Sequence, residues 1–232
     1  MSGDLSGCVR TGVTACQIAA ASDIHDNHMP GWAGTDRALA QLAQSVPGLD
    51  PDAVTLKAAD VDRLYYTRHF RLGDVIDKIV EVLGPEPATP GTAEEAIALV
   101  EAIAPIQVGS KVRWHWSFAS KFGHWFLHAS LPIYDYWANR AVTHHFGRIS
   151  WRTTAYRDFA EHVCALREAS GLSCTTREMD RYLWLSGMYR AWIGAADRDK
   201  LGLSEEVARL FDSRDPDVER ALAALRGETP SA

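Results

Sequence analysis

One carboxylate stands alone in the most basic part of this chain. Between residues 105 and 157 the only acid is Asp135, facing seven basic side chains: Lys111, Arg113, Lys121, Arg140, Arg148, Arg152 and Arg157. The same stretch holds His115, His124, His128, His144 and His145, and twelve of the chain's 22 aromatic residues, so imidazoles, cations and rings crowd around one anion. Three kinds of chemistry use such groups. A fixed carboxylate stabilises developing positive charge and activates a nucleophile. A lysine amine attacks carbon when neighbouring cations or burial lower its pKa. His124 and His128 have the i, i+4 spacing of metal ligands, with Asp135, His144 and His145 near in sequence. No HExxH or HD signature accompanies them, which places a metal-dependent hydrolase behind the other readings. The run DIHDNH, residues 23–28, is also metal-like in composition and reads as a polar linker.

Helices must position these groups. Ser117 reads as an N-cap, and Phe118, Phe122, Trp125 and Phe126 recur at i, i+4, i+7 and i+8, which marks a core face. Lys121, His124 and His128 fall on a different face. Pro132 stops that helix. Asp135 then caps a second helix, Tyr136 to Phe146, and the positive helix end keeps its carboxylate ionised. Local pattern thus predicts a helix bearing Lys121, a turn, and an anion at the mouth of the next helix. Trp114 and Trp116, flanking His115, read equally well as an alternating strand or hairpin.

The remaining chain is patterned in the same way. Asp50-Pro51 reads as a cap with proline at the first helical position, and a long mixed stretch, Val54 to Arg71, follows. Gly73 reads as an interruption before the apolar repeat Val75, Ile76, Ile79, Val80 and Leu83. The breaker cluster GPEPATPG at 84–91 is the expected internal boundary. Thr92 with Glu95, and Thr175 with Glu178, are capping boxes. Phe159, Val163 and Leu166 share a face, Ser204 caps a short helix, and Asp215-Pro216 opens the last one. The expected class is all-α, with eight to ten helices. The first twenty residues and the last six read as loose.

The stretch LPIYDYWANRAV, 131–142, resembles the segment bearing the essential Asp of the helix-hairpin-helix base-excision DNA glycosylases; Pro132, Ile133, Asp135 and Arg140 carry the match. Upstream, SFASKFGHWF places Lys121 where lyase-competent members carry their nucleophilic lysine. The Lys-to-Asp interval is shorter than is usual in the family, only Gly109 stands in for its glycine-rich hairpin, and no iron–sulfur cysteine set follows. The resemblance implies one catalytic domain of two helical lobes with a cleft between them, a flipped nucleotide as substrate, and no cofactor. It implies Asp135 as the essential carboxylate and Lys121 as a Schiff-base nucleophile. A flipped base needs an aromatic pocket, for which Trp114, Trp116, His124, Trp125, His128, Tyr134, Tyr136 and Trp137 are the candidates. Lys111, Arg113, Arg148 and Arg152 are the candidate phosphate contacts. Arg140 reads as a partner for some distant acid. A non-catalytic helical DNA-binding module using the same basic face is the other alternative.

Whole-chain composition bounds these readings. With 232 residues and 47% apolar content the chain can bury a core. Its net charge of −6 argues against a nucleic-acid partner, but the 105–157 window alone carries +6, so the acidic excess belongs to the scaffold. No apolar run is long enough to span a bilayer, and no secretory signal is visible, so the expected setting is cytoplasmic, as a monomer. Cys8, Cys16, Cys164 and Cys174 form no CxxC and read as reduced, mostly buried thiols.

Overall fold

A computed structural model describes residues 5–65, 71–108, 110–147 and 156–228. In chain order the helices are α1 (Ala15–Asp23), α2 (Pro30–Ser45), α3 (Pro51–Leu64), α4 (Leu72–Leu83), α5 (Ala93–Ile103), α6 (Trp116–Phe126), α7 (Tyr136–Phe146), α8 (Tyr156–Ala169), α9 (Thr176–Gly194), α10 (Glu205–Phe211) and α11 (Pro216–Leu225). Strands β1 (Pro105–Val108) and β2 (Lys111–Trp114) form one antiparallel hairpin. The fold is all-α. Among the described residues it has eleven α-helices, more than the pattern predicted, and none is long and apolar enough to cross a membrane.

Short-range bonds set most helix starts. Asp50 accepts from Ala53 N at 3.1 Å, just ahead of Pro51. Thr92 with Glu95, and Thr175 with Glu178, close reciprocal capping boxes on α5 and α9. Ser204 and Asp215 cap α10 and α11. A further box, Thr14 with Gln17, starts α1 inside the segment expected to be loose. That expectation is corrected: Ile18, Ala20 and Ala21 are buried, and α1 packs on α9 and α11. The DIHDNH run is not a linker either. It continues α1 as a π-helical turn, Ile24–His28, and buries Ile24 and His25.

The chain divides into two compact units, one of residues 1–34, 135–150 and 161–232, the other of 35–134 and 151–160. In the first, α9 receives both α1 and α7. It is buried on most sides, as a helix inside a core must be. Gly187 sets the α7 contact: a Cβ there would stand 2.1 Å from the Trp137 carbonyl oxygen. In the second unit α3 packs on α4, α4 on α5, α5 on α6, and α6 back on α3. The breaker at 84–91 is therefore a turn between two packed helices of one unit, and not a boundary. Gly73 sits in the first turn of α4 and interrupts nothing. Strand β1 lies against α4 and α5 and buries Ile106, whereas all four residues of β2 are exposed.

The cysteines correct the sequence reading. Cys8, Cys16 and Cys164 are exposed free thiols and Cys174 is half-buried. Cys16 and Cys164 each sit one position out of phase with a buried stripe, beside Gln17 and Val163.

Candidate functional site

Helix α6 is the densest part of the candidate site. It begins at Trp116 with His115 in the N-cap position, where its side chain makes no capping bond, so Ser117 is not the cap. Ser117 instead accepts a 2.9 Å hydrogen bond from Lys121 Nζ, one turn on. Lys121 is buried at 7% exposure, and its ammonium lies 4.8 Å from the centre of the Tyr65 ring. Trp125 Nε1 donates to the Tyr65 hydroxyl at 3.0 Å. Lys121 and Trp125 thus converge on Tyr65, a residue 60 positions from Trp125 in sequence that carries no local signal. A second buried lysine, Lys57 of α3, also escaped the sequence reading. It donates to the Gly48 carbonyl at 2.5 Å and lies 5.0 Å from the Phe126 ring centre. Burial pushes its pKa down, against the opposing pull of Asp50.

The expected polar face of α6 is not a solvent face, because α3 and α5 both pack on this helix. His124 is buried, and its Nδ1–H donates to the Leu131 carbonyl at 2.8 Å, which closes the turn after α6. His128 lies beyond the helix end; its Nδ1 accepts from the Ser130 hydroxyl at 2.7 Å and from Ser130 N. His145 is engaged at both nitrogens. Nδ1–H donates to the Thr11 carbonyl at 2.6 Å, and Nε2 accepts from the Tyr182 hydroxyl at 3.1 Å. Burial, opposed by the Thr11 bond and reinforced by His144 and Arg190, pushes the His145 pKa down to about 4, so the ring is neutral. Burial and Arg190 lower His144 as well. Among the described residues no three His, Cys, Asp or Glu side chains could share a metal ion.

Hydrogen bonds fix the backbone of the segment that leads to Asp135. Tyr156 donates its hydroxyl proton to the Pro132 carbonyl at 2.7 Å, and Tyr134 N donates to Ser120 Oγ at 2.9 Å. Tyr134 itself is half-buried, edge-on to Phe159. Asp135 follows as the N-cap of α7, one carboxylate oxygen accepting from Ala138 N at 2.7 Å. Around the first turn of α7 stands an aromatic–cation cluster. Tyr136 is 63% exposed and meets Trp137 edge-on, with ring centres 4.8 Å apart. Arg140 donates to the Tyr136 hydroxyl at 3.0 Å, and its guanidinium lies over both rings. Arg140 therefore pairs with this hydroxyl and these rings, and not with the distant acid expected for it.

The hairpin holds the remaining described candidates. Lys111, Arg113 and Trp114 lie on exposed β2, and Trp114 stacks on Trp116 with centres 5.1 Å apart and planes 18° off parallel. Trp116 is buried. Arg148 and Arg152 lie outside the described residues. Lys121 belongs to the second unit and Asp135 to the first.

Residues 18–130 match a family model described as HI_0787_N, N-terminal domain. The match takes in helices α2 to α6 and Lys121 and ends before Asp135. No curated protein matches the chain, and no solved structure does.

Proposed function

We propose that this protein is a DNA glycosylase that flips out a damaged or chemically modified base and cleaves its N-glycosidic bond. The observation that carries the reading is Asp135: the one acid of a basic, aromatic segment, immobilised as an N-cap beside the cluster of exposed Tyr136 and Arg140 with half-buried Trp137. The chemistry needs such a group. As the bond from C1′ to the base breaks, its electron pair leaves with the base and positive charge builds on the sugar. A fixed carboxylate lowers the energy of that charge and orients the attacking nucleophile. In the monofunctional route the nucleophile is water. In the lyase route it is the Lys121 amine, which bonds C1′ and becomes a Schiff base once the sugar ring opens. Tyr136 and Trp137 offer ring faces for an unstacked base, and Arg140 offers a charge for phosphate.

The substrate is either a lesion in the host's own DNA or a bulky modified base of foreign DNA such as a phage genome. The second would make the enzyme defensive. The same reading takes the protein as a monomer acting on DNA in the cytoplasm.

The test is incubation with duplexes and genomic DNAs carrying a panel of base modifications, with and without borohydride. Free base is the expected product. A borohydride-trapped adduct that survives Lys57→Met and is lost in Lys121→Met assigns the amine. Base release undiminished by Asp135→Asn sinks the mechanism. DNA binding with no release from any substrate leaves a helical binding module. Loss of release on chelation, restored by a divalent cation, points instead to a metal-dependent hydrolase.

A further inference from the structure

The outer strand of the hairpin has a composition that edge protection alone does not explain. Lys111 and Arg113 project from one side of β2, and charged residues there do guard an open edge against pairing with another chain. The same argument forbids what accompanies them: Val112 at 52% exposure and Trp114 at 43%. Trp114 is also held rigidly. It stacks on Trp116, itself only 8% exposed, and His115 N donates to the Ala104 carbonyl at 2.8 Å, continuing the hairpin ladder past Trp114. An inner ring thus backs an outer ring that is presented to solvent. Among the described residues neither Lys111 nor Arg113 has a salt-bridge partner, so both charges are available to an anion.

We infer that β2 is a contact strand for unpaired DNA, on which Trp114 stacks against an exposed base while Lys111 and Arg113 neutralise neighbouring phosphates. The choice of DNA as the occupant rests on the glycosylase reading. The role assigned to Trp114 is nonetheless distinct from lining a base pocket. Trp114 leaves the opposite face of β2 from Lys111 and Arg113, and at an open edge the long cationic side chains serve the phosphates that flank a base stacked on the ring, because every base has a ring face and every nucleotide a phosphate.

Binding of the full-length chain to a fluorescently labelled oligo-dT strand tests this by anisotropy, without reference to base release. Trp114→Ala is expected to weaken binding about tenfold or more, and Trp114→Phe to restore most of the loss. Lys111→Gln with Arg113→Gln is expected to flatten the log–log salt dependence by about 1.4, for two lost single-strand contacts. Equal affinity of Trp114→Ala and the parent overturns the inference, as does failure of the parent to bind the strand. Trp114-dependent binding without base release from any DNA defeats the glycosylase reading alone. Base release with Trp114-independent binding defeats this inference alone.

Discussion

At the residue scale, Asp135 carries two burdens that substitution can separate. Asparagine caps a helix about as well as aspartate, whereas alanine costs about 1 kcal/mol. Asp135→Asn is therefore expected to keep the parent's thermal stability while losing base release, and Asp135→Ala to lose both. Differential scanning calorimetry beside a base-release assay reads the two effects. His145 sets a second prediction. Its pKa is about 4 in the fold, against an ordinary value of 6.5 in the unfolded chain. Between these values the unfolded state binds the proton and the folded state does not. The stabilisation is thus complete above about pH 6.5 and is lost as pH falls toward 4. The whole effect is on the order of 3 kcal/mol. Urea unfolding across that range should show the decline, and His145→Gln should flatten it.

At the element scale, the starts of the helices were legible in the sequence. The caps at Asp50, Thr92, Asp135, Thr175, Ser204 and Asp215 all form as read, because each is closed by a bond within about four residues. Which helix face is buried was less legible. Helix α6 carries a phenylalanine stripe, but α3 and α5 both cover it, so Lys121 and His124 are enclosed with the rings. Glycines show the same division. Gly187→Ala is expected to lower stability by several kcal/mol, since a methyl 2.1 Å from the Trp137 carbonyl forces α7 off α9. Gly73→Ala meets nothing within 4 Å and is expected to raise stability by up to about 1 kcal/mol through helix propensity. Both are read from melting temperatures, and equal shifts would contradict the close approach of α7 to α9.

At the scale of the whole molecule, the −6 charge and the +6 window act on DNA in opposite directions. The acidic scaffold moderates non-specific binding, while the window supplies the contacts. If Lys111, Arg113, Arg148 and Arg152 each meet a phosphate, the log–log salt dependence for duplex binding is expected near −3 to −4. A slope near zero would remove the window from the interface.

What the sequence by itself determined is local: an all-α class, the capped helix starts, and a single carboxylate at the mouth of α7. These rest on hydrogen bonds and periodicities that span a few residues. Tertiary structure alone decided that Tyr65 meets both Lys121 and Trp125, that Tyr182 binds His145, and that α1 is core. Partners 60 and 37 positions apart leave no periodic trace in the chain. Burial of a polar face is a property of the neighbouring helices and not of the helix that bears it.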